Sequence, residues 1–286
     1  MGEAFDILGR TSARRVRRER RLYRRHVREE VRRLWRRLQT PEQMDWQVAK
    51  TQFLQLFVAP RAVIQAAQFR RQIKGRRARD DPAFLVLLCA LAAVCGFLGG
   101  FIVRIKTGLP LVPMSLLCVL RVVLLDVLLA GAVMASLSSS YLNREGRRSH
   151  SDVVDYDTVS TLESDIDTDE VLLIDSNFDT RREPIEWLYC FDVHCNALVP
   201  TLVLARLLPS IVAIMFIPWL SNLLQLAAAA AYCYICFLGF SVLPGVRRTE
   251  RLLYCVPVVA LLILLACLFN VDVNVLYWTF RPNLYR

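Results

Sequence analysis

Residues 82–103 read PAFLVLLCALAAVCGFLGGFIV, a run of 22 positions without a charged side chain. A helix rises about 1.5 Å per residue, so a run of this length crosses the roughly 30 Å hydrocarbon core of a bilayer. Inside that core every backbone polar group needs a partner from the protein, and a helix supplies one within the segment itself. The stretch therefore predicts a transmembrane helix.

Four further apolar runs follow this one, at about residues 109–141, 197–217, 219–240 and 252–270. We therefore predict an all-α membrane protein with about five transmembrane helices and amphipathic helices in an N-terminal cytoplasmic region. The chain then divides into a basic N-terminal region at 1–81, spans one and two at 82–142, an acidic and disordered loop at 143–186, and spans three to five with a short luminal tail at 187–286.

Basic residues are concentrated at the start of the chain. The net charge is +10, and 22 of the 36 Lys and Arg residues lie within residues 1–81. If the N-terminus is cytoplasmic, the cytoplasmic segments hold 30 of these residues and the opposite side holds 4. Because Lys and Arg favour the cytoplasmic side of a membrane, this distribution predicts a cytoplasmic N-terminus. The Arg-rich start lacks the apolar stretch of a signal peptide, so we expect no cleavage.

An Arg-rich arm lies between residues 14 and 37, where 13 of 24 residues are Arg and apolar side chains recur at helical spacing. The pattern predicts an amphipathic helix with a cationic face. Three interpretations stay open: binding to anionic lipid, binding to RNA phosphates, or an orientation signal without a partner. The predicted basic arm comprises Arg14, Arg15, Arg17, Arg18, Arg24, Arg25, Arg32, Arg33, Arg36 and Arg37.

Two shorter amphipathic segments follow the arm at residues 42–58 and 61–73, separated at Pro60. Next, the sequence ARDDPAF leads into the first span. Asp80 or Asp81 is predicted to accept hydrogen bonds from the free N–H groups at the start of that helix, with Pro82 at its first position.

The stretch FDVHCNALVP, residues 191–200, brings a thiol, an imidazole and a carboxylate together in sequence. Such a group suits acyl transfer. A palmitoylating enzyme, however, also needs a zinc-bound domain with many Cys and His ligands, and between residues 143 and 192 the chain offers only His150 and Cys190. We therefore predict no enzyme activity, no catalytic residues, no metal and no cofactor.

Charged side chains also occur inside the apolar runs, where isolated charge is costly and partners are needed. We predict that Asp126 pairs with Arg206, and that Asp192 and Asn196 share a helix face at the cytoplasmic end of the third span. The alternatives are a pocket for a partner or ligand, or a small transporter that uses Arg121, Asp126 and Arg206. The full predicted interhelical polar cluster comprises Arg121, Asp126, Asp192, His194, Asn196 and Arg206.

Six stretches of the chain are similar to segments of one known family. They are EQMDW at 42–46, LFVAPRAV at 56–63, ARDDPAFLVLL at 78–88, LLD at 124–126, FDVH with NA within 191–197, and FLGFSVLP at 237–244. In these stretches, and over residues 42–142 and 186–270 as a whole, the chain resembles the Unc-fifty (uncoordinated-fifty homologue) family of multipass Golgi membrane proteins.

The resemblance implies a non-enzymatic role in vesicular traffic and in delivery of oligomeric receptors to the cell surface. It implies membrane lipids, Arf exchange factors and membrane-protein cargo as partners, with RNA as a further one and no small-molecule substrate. The implied location is the Golgi membrane, with the nuclear envelope or endoplasmic reticulum as alternatives. The chain departs from the family pattern in its dense Arg-rich arm, in its acidic insert, and at Cys195, where an apolar residue is expected.

Overall fold

The fold is helical throughout the part of the chain that a computed structural model describes, and no strand occurs there. The described residues are 25, 28–29, 31–32, 35–40, 42, 44–74, 78–79, 81–143, 185–214, 217–243 and 249–279. The predicted acidic loop lies almost entirely outside these residues, and the predicted cap residue Asp80 also lies outside them. Six residues of the basic arm are outside them as well: Arg14, Arg15, Arg17, Arg18, Arg24 and Arg33. The arm residues that are described, all helical and exposed, are Arg25, Arg32, Arg36 and Arg37.

Eight principal helices follow the arm in the described residues. They are α1 (Trp46–Val58), α2 (Pro60–Lys74), α3 (Ala83–Thr107), α4 (Leu111–Asn143), α5 (Trp187–Ala213), α6 (Pro218–Ser241), α7 (Cys255–Leu268) and α8 (Val273–Thr279). The four helices α3 to α6 are long and apolar enough to cross a membrane, and α7 with α8, a pair bent by 88°, gives a fifth if the pair is counted as one span. The predicted all-α membrane fold with about five spans is confirmed.

Helices α3 and α4 form a close antiparallel hairpin. The hairpin turn begins at Gly108, whose φ of 72° is left-handed and whose N–H donates to Arg104 O at 2.8 Å, which ends α3. Above the turn, Gly96 faces the backbone of Val119, and a Cβ at that position would lie 2.5 Å from Val119 Cα. Small residues therefore allow the two backbones to approach.

Helix α5 begins ten residues before the apolar run that predicted the third span. The polar side chains of Asp192, His194 and Asn196 are consequently inside the helix and buried, with 9%, 4% and 5% of their residue surfaces exposed. Helix α5 begins at the predicted boundary of 187, so Asp192 lies near its first end, as predicted, and is buried there by contacts with protein groups.

The C-terminal part differs from the predicted tail. Near the start of α6, Asn222 donates to Val271 O at 2.8 Å and accepts from Val273 N at 3.0 Å. Helix α7 therefore returns the chain to the end of the bundle where α6 begins. Helix α8 then packs back against the bundle, and its Trp278, only 3% exposed, covers Gly99 of α3.

Helices α1 and α2 pack against the other end of the bundle. Leu56 of α1 and Val63 of α2 are buried in the same core as the transmembrane helices, and Gln68 Nε2 donates to Val242 O at 3.2 Å just beyond α6. Pro60 begins α2 and does not merely separate the two helices. Binding of these helices to the membrane surface stays a prediction.

Candidate functional site

Arg79 is the centre of the first polar cluster, which joins α1 to α5. Its Nη1 donates to Asp192 Oδ1, its Nη2 donates to Asn196 Oδ1 at 2.7 Å, and its Nε donates to Gln52 Oε1 at 2.9 Å. Arg70 Nη2 lies 3.8 Å from the other oxygen of Asp192. We call Gln52, Arg70, Arg79, Asp192 and Asn196 the Arg79 cluster. A guanidinium suits this position because its five N–H donors have a fixed planar arrangement.

Sequence reasoning placed Asp192 and Asn196 on one helix face but did not name Arg79. The available signal was the resemblance itself, since Arg79 lies in ARDDPAFLVLL and its two acceptors on α5 lie in FDVHxNA. The neighbouring Asp81 accepts from Ala83 N at 3.0 Å and from Asp45 N at 2.6 Å. Pro82 is the residue before the first helical position, one place earlier than expected.

A second polar cluster surrounds Tyr277 of α8. The Tyr277 hydroxyl donates to Asp126 Oδ2 at 2.8 Å, and Arg206 Nε lies 3.8 Å from the same oxygen. Arg121 Nη1 donates to Tyr277 O at 2.7 Å. The Cζ atoms of Arg121 and Arg206 lie 4.2 Å and 3.4 Å from the centre of the Tyr277 ring, within the range of cation–π attraction. We call Arg121, Asp126, Arg206 and Tyr277 the Tyr277 cluster.

His194 connects the Tyr277 cluster to α6. Its Nε2 lies 3.2 Å from Asp126 O and its Nδ1 lies 2.8 Å from Tyr232 Oη. A carbonyl oxygen only accepts, so Nε2 carries a hydrogen, and in the neutral imidazole Nδ1 accepts from the Tyr232 hydroxyl. The residues that the sequence predicted as one cluster therefore lie in two clusters. Asp192 and Asn196 contact Arg79, whereas His194 contacts the backbone oxygen of Asp126 in the Tyr277 cluster.

Asp126 of α4 and Arg206 of α5, whose charges face each other, both lie in π-helical stretches. Asp126 belongs to Val122–Leu129 and Arg206 to Val203–Leu207. π-Helical turns are rare and frequently occur at functional sites. The wider turn at Arg206 also leaves the carbonyl of Ala205 available to Gln225 Nε2, which donates to it at 2.7 Å.

A cavity of ≈ 220 Å³ lies between α4, α5 and α6 beside these π-helical stretches. Its walls combine charged, hydroxyl and apolar side chains. They are Asp126, Ala130, Met134, His194, Leu198, Thr201, Leu202, Ala205, Arg206 and Tyr232.

The Cys195 thiol is not paired with a base in the described site. Cys195 is 3% exposed and belongs to the apolar core, and its neighbours in sequence, Asp192 and His194, contact the two different clusters. Within the described ranges, no group of three or more His, Cys, Asp or Glu side chains is placed to hold a metal ion. The arrangement can hold charges between helices and can enclose a small polar ligand.

These features define an all-α integral membrane protein whose helices contact one another through two clusters of polar and charged side chains. The family model described as "UNC-50 family" matches residues 34–281, and the chain belongs to that family. The resemblance found in the sequence is thereby confirmed.

Curated relatives agree with this assignment. The chain is 29% identical over 256 residues to "Protein unc-50 homolog" of Drosophila melanogaster, covering 86% of this chain and 79% of that protein. It is 34% identical over 236 residues to "Protein unc-50 homolog" of Homo sapiens, covering 77% and 74%. It is 33% identical over 243 residues to "Protein unc-50 homolog B" of Xenopus laevis, covering 81% and 79%. No solved structure matches the chain.

Proposed function

We propose that this protein is a non-enzymatic trafficking factor of the Golgi membrane, with its N-terminus in the cytoplasm. It supports vesicular transport and the delivery of membrane proteins to the cell surface by binding partners, among them Arf exchange factors. Membership of the UNC-50 family supports this proposal, together with the motifs through which the sequence resembles that family.

The observation that carries the proposal is the pairing of buried charges between helices. Arg79 holds acceptors on α1 and α5, and Tyr277 on α8 contacts charges on α4 and α5. Breaking such pairs is costly, so they fix the positions of the helices relative to one another. A fixed arrangement suits a protein that acts as a binding scaffold, with α1 and α2 held at one end of the bundle.

The proposal is tested in cells that lack the endogenous protein. A tagged copy should be located at the Golgi, should co-purify with an Arf exchange factor, and should restore surface delivery of an oligomeric receptor. Cys195→Ala should restore delivery equally well, because the proposal gives the thiol no chemical role. A thioester trapped on Cys195, or a tagged copy located away from the Golgi with delivery unaffected, would contradict the proposal.

A small transporter is the second candidate, and the cavity beside Asp126 and Arg206 favours it. This function predicts substrate-dependent flux in proteoliposomes that contain the purified protein, with loss of flux in Asp126→Asn. Flux without any association with trafficking proteins would favour the transporter over the trafficking factor.

RNA binding through the basic arm is a minor alternative. A helix on a lipid surface buries its apolar side chains, whereas an arm on RNA mainly needs its arginines. In an isolated peptide of residues 10–40, changing Val27, Val31 and Leu34 to Ser should abolish binding to anionic vesicles and leave RNA binding largely unchanged. Vesicle binding that survives the change would reduce the arm to an orientation signal.

A further inference from the structure

Arg206 has a buried donor without an acceptor. Among the described residues, no group accepts a hydrogen bond from its Nε. The nearest carboxylate oxygen, Asp126 Oδ2, lies 3.8 Å away, which is too long for a hydrogen bond, and it already accepts from the Tyr277 hydroxyl at 2.8 Å. A charged donor inside a membrane protein is expected to have a partner.

The fixed charges of the Tyr277 cluster do not cancel. Arg121 and Arg206 contribute two positive charges and Asp126 contributes one negative charge, which leaves one net positive charge. Within the described part of the chain, Asp126 is the carboxylate that Arg206 approaches, and Arg121 contacts the backbone oxygen and the ring of Tyr277. Stacking on the shared Tyr277 ring offsets part of the imbalance, because the face of an aromatic ring attracts cations. An anion beside Arg206 would offset the rest.

The cavity beside Arg206 has room for such an anion. Its volume is ≈ 220 Å³, whereas one water molecule takes up about 30 Å³ of the liquid and pockets for drug-sized ligands start at about 300 Å³. Arg206, Asp126 and Thr201 line the polar part of the wall, and Met134, Leu198 and Leu202 line the apolar part. The free Nε donor of Arg206 suits a small anionic group that is attached to, or followed by, apolar atoms, whereas the Asp126 carboxylate on the same wall opposes it.

We propose that this cavity binds a phosphate group through the guanidinium of Arg206. Arginine favours phosphate because two of its N–H groups can point at two oxygens at once. Arg206 lies seven residues before Ala213, the last residue of α5, so it is about 10 Å from that end of the span. A lipid headgroup drawn between helices can supply the phosphate, and so can a soluble phosphate that enters from this end. The site goes beyond the trafficking role and does not depend on it.

The test uses the purified full chain in a detergent without phosphate. Thermal unfolding is measured after addition of inorganic phosphate, of phosphatidic acid, or of diacylglycerol, which is the same lipid without its phosphate. We expect phosphate or phosphatidic acid to raise the Tm and diacylglycerol to leave it unchanged. In Arg206→Gln the apparent affinity should fall about tenfold or more, because charge-assisted hydrogen bonds are lost. Arg104→Gln, which changes an exposed arginine of α3, is the matched control.

A second variant keeps the test decisive if Arg206→Gln does not fold. Ala130→Phe fills the cavity and leaves the charges in place, so it should also lose the response. A response to inorganic phosphate identifies a soluble anion, and a response confined to phosphatidic acid identifies a lipid headgroup; both support the site. The absence of any response in the unmodified chain, or an equal response in Ala130→Phe, would overturn it.

Discussion

Arg79 satisfies acceptors that belong to two different helices, α1 and α5. Its partners Asp192 and Gln52 are separated from it by 113 and 27 residues in sequence. The side chains of Arg79 and Asp192 are only 10% and 11% exposed, so water compensates little for the loss of either one.

Removing Arg79 should therefore destabilise the bundle strongly. Arg79→Gln leaves Asp192 with the longer contact to Arg70, and we expect a loss on the order of 3 kcal/mol in the free energy of unfolding. The double change Arg79→Gln with Asp192→Asn should recover part of this loss, because two neutral amides cost less than one unpaired charge. Thermal unfolding of the purified variants measures both effects. Arg61→Gln on the exposed face of α2 is the control, and strictly additive losses would show that the pair is not coupled.

Asp126 and Arg206 should show the same coupling in a weaker form, since their closest atoms are 3.8 Å apart. Asp126→Asn alone should destabilise the protein, and adding Arg206→Gln should recover part of the loss.

Tyr277→Phe keeps the ring for both guanidiniums and removes only the hydroxyl donor. It should therefore lower the free energy of unfolding by about 1.5–3 kcal/mol. The three variants are compared by resistance to unfolding in detergent. A double variant as unstable as the sum of its parts would mean that the two charges do not interact.

At the scale of helices, the contact between α3 and α4 depends on glycine. A Cβ at Gly100 would collide with the backbone of Ser115, just as one at Gly96 would collide with Val119. Gly100→Val should therefore push the helices apart and lower the free energy of unfolding by about 2–3 kcal/mol. Ala90→Val, on the exposed face of the same helix, should have little effect. Equal stability of the two variants would exclude close helix packing as the reason for the glycine.

Hydropathy located α3, α4 and α6 to within a few residues because their apolar runs coincide with the helices themselves. The apolar run at 197–217 covers only the later part of α5, because polar side chains near its start such as Asp192 are satisfied by Arg79 from a distant part of the chain. Hydropathy missed α8, whose seven residues are too few to show a reliable period. Long-range partners such as Arg79 and Tyr277 depend on tertiary contacts, which a single sequence does not specify.

At the scale of the whole molecule, the path of α7 bears on the predicted number of membrane crossings. The contacts of Asn222 with Val271 and Val273 hold the bend after α7 at the end of the bundle where α6 begins. With α7 counted as a span, we expect five crossings and a C-terminus on the side opposite to α1 and α2.

Protease added to sealed microsomes should accordingly remove an N-terminal tag and spare a C-terminal one. The expected side of the N-terminus follows from the 30 basic residues that the positive-inside rule assigns to the cytoplasm. A detergent-treated sample, in which both tags are cleaved, is the control. Protection of both tags, or removal of both from sealed vesicles, would require an even number of crossings.

The separation of 113 residues between Arg79 and Asp192 also sets an order of events during synthesis. A ribosome adds about 5 to 20 residues per second, so Asp192 is synthesised on the order of ten seconds after Arg79. The interval between Asp126 and Tyr277 is longer, because 151 residues separate them. A chain that stops before α8 therefore leaves the Asp126 carboxylate without the Tyr277 hydroxyl and both guanidiniums without the Tyr277 ring. Among the described helices, assembly of the Tyr277 cluster consequently comes last.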